Sequence, residues 1–383
     1  MKTSILIFTS LAALASLHAE GIGHPPINPA LLYWQSAAQL PNLSNDRATA
    51  LHEIASGKKS ITAVSWQDFG FDGAEKLLLK AAGSTAPCDW GLPWELGPET
   101  PMPHFSKLIE LANIAIGEAE FQFTQGHVDQ GQKWLITAHR VARHAGADDL
   151  LISCLVQYAI EQNALRGAAR HCLAWDDQVR HTYRQELQQL PPLHSLQQAY
   201  QGEYKLNSWL EHLLTANDAE RKAATQTLCA SADATKDRPG DTAIKQSEIQ
   251  ALEAPDKLRK AIAELREYQQ KTYAILGKPW KTAAKELADA ANDAKHSESV
   301  LVRMILPTVT AIHNKAGAMA TMQTMLNAGL QYGPQLDADH AGEFHDAFEG
   351  SPLQLKKESD SSMTLQAATT APGGKITELR FGK

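Results

Sequence analysis

The sequence lacks the motifs by which most enzymes and cofactor-binding proteins are recognised. It contains no G-x-S-x-G, no G-x-x-x-x-G-K-[ST] and no G-x-G-x-x-G, so it offers no nucleophile elbow, phosphate loop or dinucleotide fingerprint. It also has no C-x-x-C pair, which leaves a redox dithiol or a zinc knuckle without support. We therefore predict no catalytic residue, no metal and no cofactor from motifs.

A basic face is also missing. The formal net charge of the 383 residues is −7, charged residues make up 21%, and no block of one sign stands out. Nucleic-acid binding normally requires clustered Lys and Arg, so we expect no nucleic-acid partner. The length and ordinary hydrophobic content are sufficient for a soluble core built without disulfides or metals.

The first residues have the pattern of a secretory signal peptide. Met1 and Lys2 give a basic start, Ile5 to Leu17 form an uncharged and mostly apolar run, and small residues follow. We predict a signal peptide over residues 1–19, cut after Ala15 or after Ala19. The protein is then exported to the periplasm or the outside of a bacterial cell.

No second apolar run is long enough to span a bilayer. The best candidate, residues 300–332, is interrupted by Arg303, Pro307, His313 and Lys315, and charges at mid-bilayer are costly. We interpret it as a pair of buried helices and expect no transmembrane segment after signal cleavage.

Most of the remaining chain has the apolar spacing and the capping residues of helices. Asn28 followed by Pro29 starts the first of them, and a polar stretch over 231–248 predicts a hinge. The sequence predicts an all-α fold of roughly ten helices, as a bundle or irregular αα array, over residues 20–335. The predicted helices cover 28–39, 45–55, 72–82, 105–125, 128–145, 148–175, 176–190, 195–215, 256–276, 279–296 and about 297–330, the last kinked or divided at Pro307.

Beyond residue 335 the apolar period changes from 3.6 to 2. Alternation over 353–355, 363–367 and 376–381, with turns between, predicts a small antiparallel β-meander in a C-terminal tail, residues 336–383. In the same tail, His340, Glu343, His345, Asp346 and Glu349 form the densest group of metal-ligand types. Their spacing matches no established site, and we interpret the stretch as a solvated turn.

Four cysteines are present, and export would allow them to form disulfides. Cys154 and Cys172 are expected on one helix, about 27 Å apart, far beyond disulfide reach. Any bridge must therefore include Cys88 or Cys229, and free buried thiols are the equal alternative.

The most prominent candidate site is the Trp loop, residues 84–103, which holds five prolines, two glycines and two tryptophans. Aromatic platforms beside paired carboxylates are what glycoside hydrolysis uses. The alternative, which we favour, is that both indoles cap the helical core while Asp89 binds nearby backbone amides. The candidate binding residues are Asp89, Trp90, Trp94, Glu95 and Glu99.

Several short stretches resemble landmarks of bacterial predicted exported helical proteins, a group without an assigned activity. They are residues 28–35 (NPALLYWQ), 88–91 (CDWG), the helix start at 103–104, the helix pair over 108–144 and the helix over 150–165. Residues 346–353 (DAFEGSPL) resemble the D-P-F-x-G-x-P-L tail of that group, with Ala347 in place of Pro. A similar tail closes the C-terminal sheet of type II secretion pseudopilins.

We therefore expect an exported helical protein that acts as a non-catalytic periplasmic or envelope binding or scaffold protein. Its partner would be an envelope protein or a glycan. The alternative is a carbohydrate-active hydrolase that uses carboxylates of the Trp loop as acid and base.

Overall fold

The computed structural model describes residues 27–233, 244–305, 307–359, 361–370 and 376–382. The signal peptide predicted over residues 1–19 lies outside these ranges. So does the middle of the predicted hinge, because residues 234–243 are not described.

The described chain is predominantly helical and ends in one small sheet, which confirms the predicted fold class. Short 3₁₀ segments lie at 61–63, 66–69, 94–99, 251–253 and 333–335. The helices are α1 (Pro29–Ala38), α2 (Asn45–Ala55), α3 (Asp72–Ala82), α4 (His104–Thr124), α5 (Val128–Ala145), α6 (Leu151–Cys172), α7 (Asp177–Gln189), α8 (Leu196–Gly202), α9 (Lys205–Thr215), α10 (Asp218–Asp233), α11 (Gln246–Gln250), α12 (Pro255–Leu276), α13 (Trp280–Lys295), α14 (Val300–Ile305), α15 (Pro307–Tyr332) and α16 (Ala338–Gly342).

Local capping explains why several helices begin where the sequence predicts. The Asn28 side chain accepts a hydrogen bond from the Ala30 amide at 3.1 Å, and Pro29 occupies the first helical position of α1. Asp176 accepts in the same way from the Val179 amide at 2.8 Å and starts α7. Because both interactions are local, the sequence alone was sufficient to place these helix starts.

The single helix predicted over 195–215 is wrong, because the chain breaks between α8 and α9. Gly202 packs against the backbone of Asp149 so closely that a Cβ would lie 1.6 Å from the carbonyl oxygen. The neighbouring Glu203 carboxylate accepts the Leu151 amide at 2.7 Å and caps α6. The break between α8 and α9 thus places Glu203 where its carboxylate caps the start of α6.

The sheet is the predicted meander. Its strands are β1 (Gln354–Ser359), β2 (Ser362–Thr370) and β3 (Ile376–Phe381), antiparallel in the order β1-β2-β3. Leu365 of β2 lies opposite Leu379 of β3, and both side chains are buried in the helical core. The Phe381 ring fills the space beside Gly329 of α15, where a Cβ would be 2.2 Å away. The tail therefore shares its core with the helices.

The buried apolar residues form two separate clusters. The main core joins α1 to α8, parts of α12, α13 and α15, and the sheet. The second core lies between α9, α10, α11, α12 and α14, and its α11 helix falls within the range predicted to be a loop. Helix α12 belongs to both cores, since Leu265 is buried in the second and Ile275 in the main core.

Within the described ranges, no helix has both the length and the apolar character needed to cross a membrane.

Candidate functional site

Two hydrogen bonds between Asn28 and Asp89 connect the Trp loop to the start of α1. The side-chain amide of Asn28 donates to the Asp89 carbonyl at 2.6 Å, and the backbone amide of Asp89 donates to the Asn28 side-chain oxygen at 3.1 Å. The Asp89 carboxylate turns back onto its own loop and accepts the Gly91 amide at 2.9 Å. Asp89 thus binds backbone amides, as the favoured interpretation of the sequence expects.

Trp90 covers a group of buried polar side chains. Its indole N–H donates to the His144 carbonyl at 3.2 Å, and its ring stacks on His104 with centroids 4.6 Å apart. Beneath it, His104 bonds the Asp148 carboxylate at 2.9 Å, and both are buried. The tryptophan therefore caps the helical core and excludes water from this pair.

Burial shifts the pKa values of two side chains near Trp90. Burial, with Arg140 and His194 nearby, lowers the pKa of His144 to about 4. Burial and the neighbouring Asp148 carboxylate raise the pKa of the Cys88 thiol to about 12. At neutral pH the imidazole of His144 is therefore neutral and the thiol of Cys88 is protonated, so this cluster supplies no activated nucleophile.

Trp94 lies farther along the loop and contacts a different helix. The Lys205 ammonium of α9 sits 5.0 Å from its ring centroid and donates to the Asp148 carbonyl at 3.0 Å. Gly97, with φ of +58°, lets the backbone approach the ring of Trp209, which leaves no room for a Cβ. The Trp loop thereby joins the main core to the second.

Two of the three carboxylates of the Trp loop bond different neighbours. All three are exposed, and whereas Asp89 bonds its own loop, Glu99 accepts the Thr227 hydroxyl of α10 at 3.0 Å. A glycosidase needs an acid and a base that face each other across the substrate. The hydrogen bonds of Asp89 and Glu99 direct them to separate neighbours instead.

Three of the six exposed large apolar side chains among the described residues, Ile27, Leu31 and Trp34, lie on α1 or just before it. With the half-buried Trp90 they form a group that we call the Trp34 face. Leu31 is 53% exposed, Ile27 46% and Trp34 38%. The Trp34 ring meets the half-buried Trp90 ring edge-on at 6.4 Å. Leu31 and Trp34 are three residues apart on α1 and therefore share a side of the helix.

Leu31 and Trp34 were not among the candidate binding residues predicted from the sequence, although the sequence contains a signal for them. Residues 29–34 (PALLYW) are apolar in succession, so a helix covered on one side only must leave some of them exposed. Leu32 and Tyr33 point inward and are buried, and the Tyr33 hydroxyl bonds His144 at 2.8 Å. The other two side chains remain at the surface.

Two buried ion clusters, also missed from the sequence, lie deeper in the main core. Glu161 bonds His139 at 2.8 Å and also pairs with Arg143, while the His139 ring bonds Tyr183 at 3.0 Å. Burial alone would raise the pKa of Glu161, but the two basic partners outweigh it and lower the pKa to about 2. These contacts join α5, α6 and α7.

The second cluster follows the same design. Glu120 of α4 bonds Arg170 and His171 of α6 at 2.9 Å each. Burial opposes the charge of Glu120, yet the bonds and charges of these partners lower its pKa to about 2. In both clusters the buried carboxylate is paired with basic side chains of neighbouring helices, so we assign the clusters to stability.

Neither the cysteines nor the histidine-rich turn forms a disulfide or a metal site among the described residues. No disulfide joins any two of Cys88, Cys154, Cys172 and Cys229 in the described chain, and Cys154 and Cys172 share α6 as predicted. The turn at 340–349 is solvated at Glu343, His345 and Glu349. Its Asp346 is buried instead and accepts the amides of Phe348 and Glu349 at 3.0 and 2.8 Å. No group of metal-ligand side chains was found among the described residues.

Comparisons with family models, with curated proteins and with solved structures gave no match for this chain.

Proposed function

We propose that this chain is a non-catalytic binding protein of the bacterial envelope, and that the Trp34 face is its binding surface. The observation that carries the proposal is the exposure of Leu31 and Trp34 on a helix whose other side is firmly anchored. Exposed apolar side chains that share one side of a helix are candidates for a binding surface, because a soluble protein buries most of its large apolar residues. Tryptophan is also enriched among residues that dominate binding energy.

The chemistry beside the face favours a basic, amphipathic protein segment as the partner. Residues 84–103 carry the carboxylates of Asp89, Glu95 and Glu99 and no Lys or Arg. A segment with an apolar side and flanking Lys or Arg would match both the exposed Leu31 and this negative loop. Two exposed aliphatic side chains, Ile27 and Leu31, are less suited to a glycan, whose rings pack on aromatic faces.

Rigidity of the surface supports binding as well. Asn28 is fixed to Asp89, Ser36 donates to the Ala74 carbonyl at 2.7 Å, and the buried Tyr33 bonds His144. These contacts hold α1 before any partner arrives, so little ordering entropy is lost on association.

Export is the second part of the proposal and rests on the basic start and the apolar run Ile5 to Leu17. Expression of the full chain in a bacterium, followed by fractionation and N-terminal sequencing, tests it. We expect an envelope or extracellular fraction that begins at Ser16 or Glu20. A product that keeps Met1 and stays with the cytoplasm would contradict export.

Binding is tested with a fluorescent amphipathic helical peptide built from Leu and Lys, and a matched peptide in which each Lys is Glu. We expect the Lys peptide to bind, more weakly as salt rises, and the Glu peptide to bind at least about tenfold more weakly. Leu31→Asn and Trp34→Ala should each weaken binding about tenfold or more, as loss of a central apolar contact does.

A matched control distinguishes binding at this surface from non-specific hydrophobic binding. Ile376 of β3 is 49% exposed, much like Leu31, but it lies on the sheet. Ile376→Asn should leave the affinity for the Lys peptide unchanged. Equal losses in Leu31→Asn and Ile376→Asn, or equal affinity for the two peptides, would overturn the assignment of the surface.

Glycoside hydrolysis, the alternative from the sequence, is not proposed. It needs two carboxyl groups about 5–9.5 Å apart on either side of a sugar. Asp89 is bonded to Gly91 of its own loop and Glu99 to Thr227 of α10, so these two carboxylates bond separate neighbours, and no contact pairs either of them with Glu95 among the described hydrogen bonds.

A further inference from the structure

A cavity lined by polar residues, which we call the polar cavity, lies between α9 and α12 and shares no residue with the Trp34 face. Its volume is about 270 Å³. The lining residues are Tyr204, just before α9, with Asn207 and Glu211 of α9, and Arg266, Gln269 and Gln270 of α12. Residues three or four apart share a side of a helix, which places Asn207 with Glu211, and Arg266 with both Gln269 and Gln270.

The floor of the cavity is a buried amide pair. Asn207 and Gln269 are only 8% and 2% exposed. The Asn207 amide donates to Gln269 Oε1 at 2.7 Å, and the Gln269 amide donates back to Asn207 Oδ1 at 3.3 Å. Each amide carries two N–H groups and uses one in this pair, so hydrogen-bonding capacity remains.

The amides occupy a position where apolar packing would otherwise continue. Leu265 lies one turn before Gln269 and is buried in the second core, whereas Ile275 lies beyond it in the main core. Buried amides are costly to keep between two apolar clusters unless hydrogen bonds compensate for the loss of water. The buried amide pair between the two cores therefore indicates a role other than apolar packing.

The rim of the cavity carries one charge of each sign. Arg266 and Glu211 form an ion pair, with side chains 51% and 43% exposed. Exposed pairs contribute little to folding, so their mutual contact is readily exchanged for contacts with a ligand. A ligand with a carboxylate and an ammonium group keeps both partners neutralised, whereas a ligand with one charge leaves the other partner unpaired.

We propose that this cavity binds a small zwitterion of the free α-amino-acid class. The ligand carboxylate pairs with Arg266, its ammonium group pairs with Glu211, and its side chain faces the Asn207–Gln269 floor. The volume is below the roughly 300–1,000 Å³ of sites for drug-sized molecules, which fits one amino acid rather than a peptide.

Calorimetric titration of the purified full chain with each of the twenty standard amino acids tests the proposal. We expect saturable binding of at least one of them. Its amide and its N-acetyl derivative, which each lack one charge, should bind roughly tenfold to a hundredfold more weakly.

Variants locate the binding. Arg266→Gln and Glu211→Gln should each weaken it about tenfold or more. Lys271→Gln changes an exposed residue of the same helix, paired with Asp293 at 3.5 Å, and should leave the affinity unchanged. Trp34→Ala should also leave it unchanged, which separates this site from the Trp34 face. Absence of saturable binding to the folded chain, or full affinity in Arg266→Gln, would overturn the proposal.

Discussion

The two cores of this protein are stabilised by different means. The main core encloses aromatic rings and two ion clusters centred on the buried carboxylates Glu161 and Glu120. The fully buried residues of the second core are Leu, Ile, Val and Ala, with Trp209, Cys229, Tyr268 and Met304 partly buried against them. Its ion pairs, such as Arg266–Glu211 and Lys260–Glu298, lie at the surface, where water screens them.

Because of this difference, the stability of each core should depend on a different kind of interaction. A buried carboxylate between basic partners is costly to leave unpaired, so the main core depends on its charges. The second core depends on apolar burial over a smaller set of side chains and should open more readily. The two proposed binding sites lie in different places, since the Trp34 face is on the main core and the polar cavity is where the cores meet.

The largest effect is expected from Glu161→Gln. The change leaves Arg143 and His139 buried without their counter-charge, which typically costs about 3–5 kcal/mol of unfolding free energy. Urea unfolding measures it. Glu286→Gln, in an exposed pair with Lys278, is the control and should cost less than about 1 kcal/mol. Similar losses in the two variants would remove the distinction between buried and surface pairs.

Acid should weaken the main core through the same carboxylates. The folded pKa values of Glu161 and Glu120 are lowered to about 2, against about 4.3 in an unfolded chain. Their contribution is therefore complete above the unfolded pKa and is lost as pH falls from about 4.3 through 2. Each carboxylate accounts for on the order of 3 kcal/mol over that window.

Urea unfolding at pH 6 and at pH 3 measures this loss. The Glu161→Gln variant should show a smaller difference between the two pH values than the natural chain. An equal difference would mean that other groups control the acid response.

Truncation in the second core should have a smaller and more local effect. Leu265→Ala removes a side chain that is 1% exposed and should cost about 2–3 kcal/mol. Amide hydrogen exchange should accelerate in α9 to α12 and α14 and stay slow in α4 to α6. Leu111→Ala, at a fully buried position of the main core, is the matched control and should accelerate exchange in both regions. Identical exchange maps would show that the two cores unfold as one.

The smallest expected effect concerns the contact that joins the regions. Lys205→Met keeps the apolar stem but removes the donor to the Asp148 carbonyl and the charge over Trp94. The loss should be about 1 kcal/mol in urea unfolding. The control is Lys222→Met, at an exposed position of α10. Its free energy of unfolding should stay within about 0.5 kcal/mol of that of the natural chain. If the two variants are equal, Lys205 does not couple the Trp loop to α9.

What the sequence predicted correctly depends on local chemistry. Asn28 and Pro29 start α1 through neighbouring atoms, and the alternation of Leu365 and Leu379 with polar residues marks the strands of the meander. Such patterns need no knowledge of distant residues.

What it did not predict depends on contacts between distant residues. Asp148 and Asp149, where the sequence predicted this helix to begin, instead bond His104 and His194, and α6 begins at Leu151. Glu120 meets its partner His171 across 51 positions. Neither spacing nor composition indicates which His a given carboxylate will reach, because the packing of α4 against α6 decides it.

Amide hydrogen exchange of the full chain, with and without the Leu/Lys amphipathic peptide, tests the Trp34 face as the binding surface. We expect slower exchange in α1 and at residues 84–103, with no change in α10 to α12 of the second core. Protection in the second core, or protection of neither region at saturating peptide, would contradict the Trp34 face as the binding surface.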